Sequence, residues 1–367
     1  MGRILQRTGV RLMLAAIAAG LTLSAGLPGA VGAPTSPANP NELMTYITGL
    51  PSSPHVWVAA TDGSSPDQLG QASSAQINPS GTAVAAVSVA RQTNAWTLTL
   101  YTTPPSSPAA VTVIPKRPQP MTLLAWSPDS RLILVTVGTT PAQLLLVDTT
   151  TQQTHTIATG VIAGASFAPG GSDAIVYGLS HSGNSAVNLY TTSDAGTDTR
   201  QLTHDGRSEL PLWAPSGIVY SRETARAKNP YPELQLWMMN TAGGRTHQLT
   251  HVTVSSKAEG LVAQGVSNDG TRLLANLISP TGANITVPYT VALSGAKPLV
   301  HPLTASGFIG DAISGDGQTI LVTKGTASDV HALSIETFPW SGGKPTLVVK
   351  QGGYASWNCS ASCRPNQ

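Results

Sequence analysis

The chain carries little charge for its length. Its 367 residues include 20 lysines and arginines and 18 aspartates and glutamates, which gives a formal net charge of +2. Residues 1–33 contain three arginines and no acidic residue, so residues 34–367 have a net charge of −1. Because proteins that bind nucleic acid carry clustered lysine and arginine side chains, the sequence predicts no nucleic-acid partner.

Long apolar runs are absent beyond the N-terminus, and a helix that spans a membrane needs about 20 mostly apolar residues. Residues 1–33 combine three arginines with the shorter apolar stretch LMLAAIAAGLTLSAGL and end in VGA, which is typical of a Sec-type signal peptide. Cleavage after Gly32 stays open because Pro34 follows Ala33, and an uncleaved anchor is the alternative. We therefore predict a secreted, extracytoplasmic protein with no transmembrane domain in the mature chain.

Cysteine is scarce as well. Only Cys359 and Cys363 are present, in the segment NCSASC. In a secreted protein this pair favours a disulfide, and two free thiols are the alternative. A lone pair supplies only half of the ligands of a tetrahedral metal site, so we predict no metal at these residues.

Motifs for cofactors and catalysis are missing. The sequence contains no phosphate-binding loop, dinucleotide-binding glycine pattern or haem attachment motif. The string closest to a nucleophile elbow, GASFA at 164–168, ends in alanine where that motif requires glycine. His247 and His251 lie four residues apart, but on a predicted strand and turn, where this spacing does not align two metal ligands. We predict no cofactor, no metal ion and no catalytic residue.

What the chain does contain is a recurring unit of strand, turn and strand. The clearest copy is LAWSPDSRLILVTVG at 124–138, in which the proline, aspartate and serine are typical of a tight turn. Its equivalents recur every 41 to 53 residues, and the turn positions are Pro79, Pro128, Pro169, Pro215, Asn268, Gly315 and Asn358. This period is typical of the four-stranded blade of a β-propeller.

Two residue types recur with the turn and have structural explanations. Asp129, Asp269 and Asp316 occur one per turn, whereas a calcium-binding loop needs several oxygen ligands at regular spacing. Trp126, Trp213 and Trp357 share one strand position, which we interpret as packing between blades.

The two ends of the chain complement each other. YASW at 354–357 predicts a lone first strand of a blade, and LMTYITGL (43–50), HVWVAATDG (55–63) and DQLG (67–70) predict the other three. Pairing of the ends would close the ring and remove exposed sheet edges. We predict an all-β, seven-bladed β-propeller at 42–367 with this composite blade, with six blades as the alternative, after a flexible arm at 34–41.

The segment AWSPDSRLILV, together with LYTTSDAGTDTRQLTHDG at 189–206, resembles the WD40-like, or PD40, repeat of TolB-type β-propellers. The resemblance covers nearly all of the mature chain and implies the propeller fold. It also implies either partner binding in the cell envelope, as for periplasmic TolB, or a propeller like those attached to some serine peptidases. We expect neither the separate N-terminal domain of TolB nor a peptidase domain.

The candidate site lies on loops that do not repeat, because binding residues concentrate on variable loops of a rigid scaffold. One such loop is SRETARAKNPYPELQ (221–235), and THDGRSEL (203–210) is predicted to lie beside it. Arginine and tyrosine are enriched where interfaces bind most strongly, although an ordinary solvated loop is the alternative. The predicted partner-binding residues are Arg222, Arg226, Lys228, Tyr231, Arg207 and His204.

The predicted function is a monomeric, non-enzymatic module that binds a protein or glycan at or outside the bacterial cell envelope. The alternative is a propeller enzyme of the lactonase or glycan-lyase kind, with a site in the central channel. A third hypothesis is that the protein is an envelope translocation component analogous to TolB, and this hypothesis is based on the resemblance alone.

Overall fold

A computed structural model describes residues 42–90, 92–103, 109–171, 174–181, 186–224, 233–253, 260–278, 286–294, 299–304, 307–325 and 332–358. The predicted signal peptide, the arm at 34–41, Cys359 and Cys363 lie outside these ranges. Within them the chain forms strands and turns, with no helix, and so no helix that could cross a lipid bilayer.

The strands form antiparallel groups of four, and one parallel pair, Leu234 opposite Gly260, joins two of these groups. The first group has the order β27-β1-β2-β3 and consists of β1 (Leu43–Thr48), β2 (His55–Ala60), β3 (Asp67–Gln71) and β27 (Gly353–Trp357). The next group consists of β4 (Ser74–Ile77), β5 (Ala83–Ala90), β6 (Ala95–Thr102) and β7 (Ala110–Arg117).

The middle of the chain forms two groups that share a strand. One group runs through β8 (Met121–Trp126), β9 (Leu132–Gly138), β10 (Ala142–Asp148) and the first half of β11 (Thr154–Phe167). The second half of β11 then pairs with β12 (Ile175–Ser180), followed by β13 (Asn188–Thr192) and β14 (Arg200–Gln201). The repeat pattern predicts a connection between successive units, whereas here the strand continues from one group into the next.

The remaining strands follow the same pattern. One group contains β15 (Ser208–Ala214), β16 (Gly217–Thr224), β17 (Glu233–Met239) and β18 (His247–Gln248). Next come β19 (Gly260–Val266), β20 (Arg272–Ile278), β21 (Val287–Ala292) and β22 (Leu299–Pro302). The last contains β23 (Phe308–Ile313), β24 (Thr319–Lys324), β25 (Ser334–Pro339) and β26 (Thr346–Val349).

The QLTH segments are shorter as strands than predicted. β14 and β18 each contain two residues, although the backbone N–H groups of Leu202 and Leu249 still donate to the Leu189 and Leu236 carbonyls at 2.8 Å. Both leucines are buried in hydrophobic clusters, and the following threonine hydroxyls accept the backbone N–H groups of Leu189 and Leu236.

In three groups, the turn that joins the first two strands is held by a serine and an aspartate. The hydroxyl of Ser127 donates to the Asp129 carboxylate and accepts the backbone N–H of Leu132 at 2.8 Å. Ser267 and Asp269 make the same bonds, and so do Ser314 and Asp316. These bonds within the turn account for the recurring aspartates.

Hydrophobic clusters lie between neighbouring groups of strands. Ile133 and Val135 of β9 pack with Leu98 of β6, and Trp126 packs on this cluster while its Nε1 donates to the Gln76 carbonyl of β4 at 3.1 Å. Trp213 packs between β12 and β16 in the same way. The predicted packing role of these tryptophans between groups is confirmed.

The two ends of the described chain lie in one sheet. β27 pairs with β1 through Met44 opposite Trp357 and Ile47 opposite Gly353. Asn358 continues this pairing, because its side-chain oxygen accepts the backbone N–H of Leu43 at 2.5 Å and its own N–H donates to the Leu43 carbonyl at 3.0 Å. Strands that are more than 300 residues apart are thereby joined.

Candidate functional site

The described part of the predicted surface centres on Asp205, in the segment that connects β14 to β15. Its carboxylate accepts the backbone N–H of Arg207 and the hydroxyl of Ser208, both at 3.0 Å. It also forms an ion pair with Arg222 of β16, with 2.7 Å between Nε and Oδ2. The connecting segment is therefore fastened to the end of β16.

Arg222 is held on a second side by Trp237. The guanidinium carbon lies 4.5 Å from the centre of the Trp237 ring, where a cation is attracted by the π-electrons of the indole. The Arg222 side chain is 29% exposed and that of Asp205 is 27% exposed. The ion pair uses Nε, and the two terminal guanidinium nitrogens make no hydrogen bond to any other described residue.

Beneath this pair lies a buried tyrosine. Tyr220 is 1% exposed, and burial raises the pKa of its hydroxyl to about 12; among the smaller effects, the Arg222 charge lowers this pKa and the Asp205 charge raises it. The phenol is therefore neutral over the physiological pH range. Tyr220 therefore adds no charge beside the Arg222–Asp205 pair.

The structure brings together three of the predicted residues. Arg222 lies in β16, Arg207 immediately precedes β15, and the Arg207 carbonyl accepts the backbone N–H of Glu223 at 2.9 Å. His204 adjoins Asp205, and both His204 and Arg207 are exposed. Arg226, Lys228 and Tyr231 lie outside the described residues.

Arg222 lies in a strand and not in the loop that the sequence predicted. The sequence predicted a loop from 221 onwards, whereas β16 continues to Thr224 and pairs Arg222 with Gln235 of β17. β17 is buried along this stretch, since Leu234, Gln235 and Leu236 are each no more than 3% exposed, and the pairing with β16 extends across it. Arg222 is consequently a strand residue with a fixed backbone.

Two residues of this site were not predicted from the sequence. Asp205 lies in a segment that was singled out, but nothing local shows that its carboxylate faces Arg222. Trp237 lies in the apolar run QLWMM and resembles a core residue. Trp237 lies under Arg222 because of the register in which β16 pairs with β17, and the local sequence does not show this register.

A second polar cluster surrounds Asp311 in β23. The Thr323 hydroxyl donates to its carboxylate at 2.6 Å and accepts the backbone N–H of Tyr354 at 2.7 Å. The Gln264 side-chain amide donates to the Asp311 carbonyl at 3.2 Å. Three strands that are distant in sequence, β19, β23 and β27, therefore meet at this residue.

The carboxyl group of Asp311 lies below the surface although the residue as a whole is partly exposed. Burial raises the pKa of this carboxyl to about 7, against the opposing effect of hydrogen bonds from Thr323 and the Ala355 backbone. Burial and the nearby Asp311 charge raise the pKa of Tyr354 to about 12. Among the described residues, no group of three or more histidine, cysteine, aspartate or glutamate side chains is arranged to hold a metal ion.

No protein-family model matches this chain. No curated protein matches it either.

Solved structures do resemble it. TolB from Acinetobacter baumannii has a TM-score of 0.54 and 17% identity, with 87% of this chain and 83% of that chain covered. The β-propeller domain of the Trilobed protease from Pyrococcus furiosus has a TM-score of 0.62 and 13% identity, with coverage of 83% and 92%.

An oligogalacturonate lyase, solved in complex with manganese, has a TM-score of 0.51 and 12% identity, with 82% of each chain covered. At such low identities the likeness shows the fold and not the activity. The chain has a TolB-like β-propeller fold.

Proposed function

We propose that this protein is a secreted, extracytoplasmic β-propeller that binds a partner without catalysing a reaction. We further propose that it has seven blades, one for each four-stranded group, and that the sheet shared by β27 and β1 closes the ring. The binding surface includes Arg222, Arg207 and His204, and extends over the predicted residues Arg226, Lys228 and Tyr231.

Contacts between the first strands of successive groups support a closed ring. β4 contacts β8, β8 contacts β11, β11 contacts β15 and β15 contacts β19. The series continues from β19 to β23, from β23 to β27, and from β27 back to β4. In this arrangement the first strands surround the axis, and the loops between second and third strands share one face with the connections between groups.

The observation that best supports a binding function is that the Arg222 guanidinium group is held in place but is still able to donate hydrogen bonds. Asp205 and Trp237 fix its guanidinium group, while its two terminal nitrogens stay free of described acceptors. An arginine that is ordered before binding loses less conformational freedom when a partner arrives. Its planar fork fits a carboxylate with two parallel hydrogen bonds, so the favoured partner is a protein with an exposed acidic side chain.

Quantitative affinity capture tests this proposal. The mature chain is immobilised and incubated with the envelope and secreted fractions of its native cells, and captured proteins are quantified by mass spectrometry. We expect Arg222→Ala to lower recovery of the specific partner at least tenfold, which corresponds to about 1.4 kcal/mol of binding free energy. Arg222→Lys should restore it only in part, because lysine lacks the planar fork.

The matched control is Arg131→Ala. Arg131 is also an arginine in ion pairs, with Asp148 at 3.6 Å and Asp194 at 3.9 Å. It follows the turn between β8 and β9, which the proposed ring places on the opposite face. Equal recovery by the wild-type protein and Arg222→Ala would contradict the proposed surface.

The Asp311 cluster favours a second candidate function. A carboxyl group that titrates near neutral pH is suited to general acid–base catalysis, and the proposed ring places Asp311 beside the central channel. A hydrolase and lyase screen with lactones and oligosaccharides would show activity that Asp311→Asn abolishes. Activity that survives in Asp311→Asn would remove this candidate.

A further inference from the structure

A recess separates the sheet that contains both chain ends from the sheet β4–β7, and we call it the inter-sheet groove. Its volume is about 620 Å³, within the range of about 300 to 1,000 Å³ that is usual for small-molecule sites. One wall is the loop between β1 and β2 together with the segment after β3. The other wall is the hairpin of β5 and β6 with the end of β7.

Three polar side chains cross one wall of the inter-sheet groove in a row. Ser88 of β5 is directly opposite Thr97 of β6. On the next strand, Trp96 pairs with Arg117 and Leu98 with Ile114, so Thr97 lies opposite the bulge that contains Lys116. All three line the groove, and cross-strand neighbours on one sheet face lie about 5 Å apart.

The rest of the lining is rich in hydroxyl and amide groups. Ser52 and Gln71 contribute from the opposite wall, and Gln92 and Thr93 from the turn between β5 and β6. The side chains of Ser88, Thr97, Gln71 and Gln92 make no hydrogen bond to any other described residue. Their donors and acceptors are therefore available to an occupant of the groove.

The charge and apolar content of the lining narrow the choice of occupant. Among the described lining residues, Lys116 is the one charged side chain. These residues include no aromatic side chain, and the largest aliphatic side chain among them is that of Val89. Peptide ligands are usually anchored by large apolar or aromatic side chains in matching pockets. This wall offers small apolar surfaces, such as Pro54 and Ala95, between groups that form hydrogen bonds.

We propose that the inter-sheet groove binds a short glycan that carries a carboxylate. The hydroxyl and amide side chains would bond to the sugar hydroxyls, the small apolar residues would contact the sugar C–H groups, and the Lys116 ammonium would pair with the carboxylate. Phosphate sites typically use an arginine fork or a nest of backbone N–H groups. The described lining contains no arginine, and a single lysine matches a single negative charge.

This site lies on different sheets from the Arg222 surface, and its occupancy does not depend on the proposed partner. Binding is measured by calorimetry on the full mature chain. The probes are disaccharides that contain glucuronic, galacturonic or mannuronic acid, each paired with its carboxyl-reduced counterpart. We expect at least one acid to bind, with at least a tenfold weaker Kd for its reduced form.

Variants then assign the binding to the groove. Lys116→Met should weaken binding of that acid about tenfold, Lys116→Arg should retain most of it, and the pair Ser88→Ala with Thr97→Val should weaken both the acid and its reduced form. Lys344→Met, at an exposed lysine between β25 and β26, is the matched control and should bind as the wild-type protein does. Circular dichroism checks that each variant is folded.

The proposal is overturned if no acid in the panel binds to the wild-type protein. It is also overturned if Lys116→Met and Lys344→Met bind the acid equally well, or if the carboxyl-reduced sugars bind as tightly as the acids.

Discussion

At the residue scale, Asp205 holds its own segment in place and positions Arg222 of the proposed binding surface. Its carboxylate accepts two hydrogen bonds from its own segment and pairs with Arg222. The structural role predicts that a change at this residue lowers stability even where no partner is present.

Asp205→Ala should lower the free energy of unfolding by about 1 to 3 kcal/mol, because hydrogen bonds to charged groups contribute in this range. Urea denaturation followed by tryptophan fluorescence measures the difference. Asp194→Ala removes a weaker ion pair, with 3.9 Å to Arg131, and should change stability by less than about 1 kcal/mol. Equal stability of the two variants would show that the Asp205 bonds are not structural.

Asp311 predicts a dependence of stability on pH. Because its carboxyl has a pKa of about 7 in the folded protein and near 3.9 in an unfolded chain, the folded state holds this proton more tightly. This contribution to stability is complete below pH 4 and is lost as the pH rises through 7. At about 1.4 kcal/mol per pKa unit, the loss between pH 4 and pH 8 is roughly 2 to 4 kcal/mol.

Asp311→Asn should remove this part of the pH profile, because asparagine keeps the shape of aspartic acid but does not titrate. Urea midpoints at half-unit steps from pH 4 to pH 8 measure the profile. A wild-type slope that persists in Asp311→Asn would assign the effect to other groups.

At the element scale, the turns were predictable and the sites were not. The Ser127–Asp129 turn is closed by hydrogen bonds within six residues, so the local sequence is sufficient to predict it. The Arg222–Asp205 pair depends on the register of β15 with β16, and the Asp311 cluster depends on contacts between residues that are 47 and 31 positions apart. Such contacts leave no local signature in the sequence.

Asn358 differs from the turn residues in what it joins. It occupies the repeat position of a turn residue, but its bonds go to Leu43 at the other end of the chain. Asn358→Ala should lower the free energy of unfolding by about 1 to 3 kcal/mol and speed hydrogen exchange at the Leu43 amide. Asn240→Ala is the control, because Asn240 accepts two backbone N–H groups within a single turn and should leave Leu43 unchanged.

At the scale of the whole molecule, the pairing of the chain ends predicts the effect of truncation. Removal of residues 353–367 deletes β27, including Ala355 and Trp357, which pack with Met44, Tyr46 and Leu321. We expect a loss of more than about 3 kcal/mol, as for removal of a large core side chain, with exposure of the β1 edge.

Removal of residues 359–367 alone is the matched control, because it leaves β27 and Asn358 in place. Calorimetric melting of both truncated chains and of the mature chain separates the contribution of β27 from that of the tail. Equal melting temperatures for the two truncated chains would mean that the pairing of the ends contributes little to the stability of the fold.

The long strand β11 affects how the native protein responds to proteases. Thr154–Phe167 serves two groups in succession, so no connecting loop separates them, and Gly160 has φ +153° where the strand passes from one group to the next. Proteases cut most readily at exposed loops that lack such pairing. Limited digestion of the native protein should therefore leave these two groups together in a single fragment, even where other junctions are cleaved.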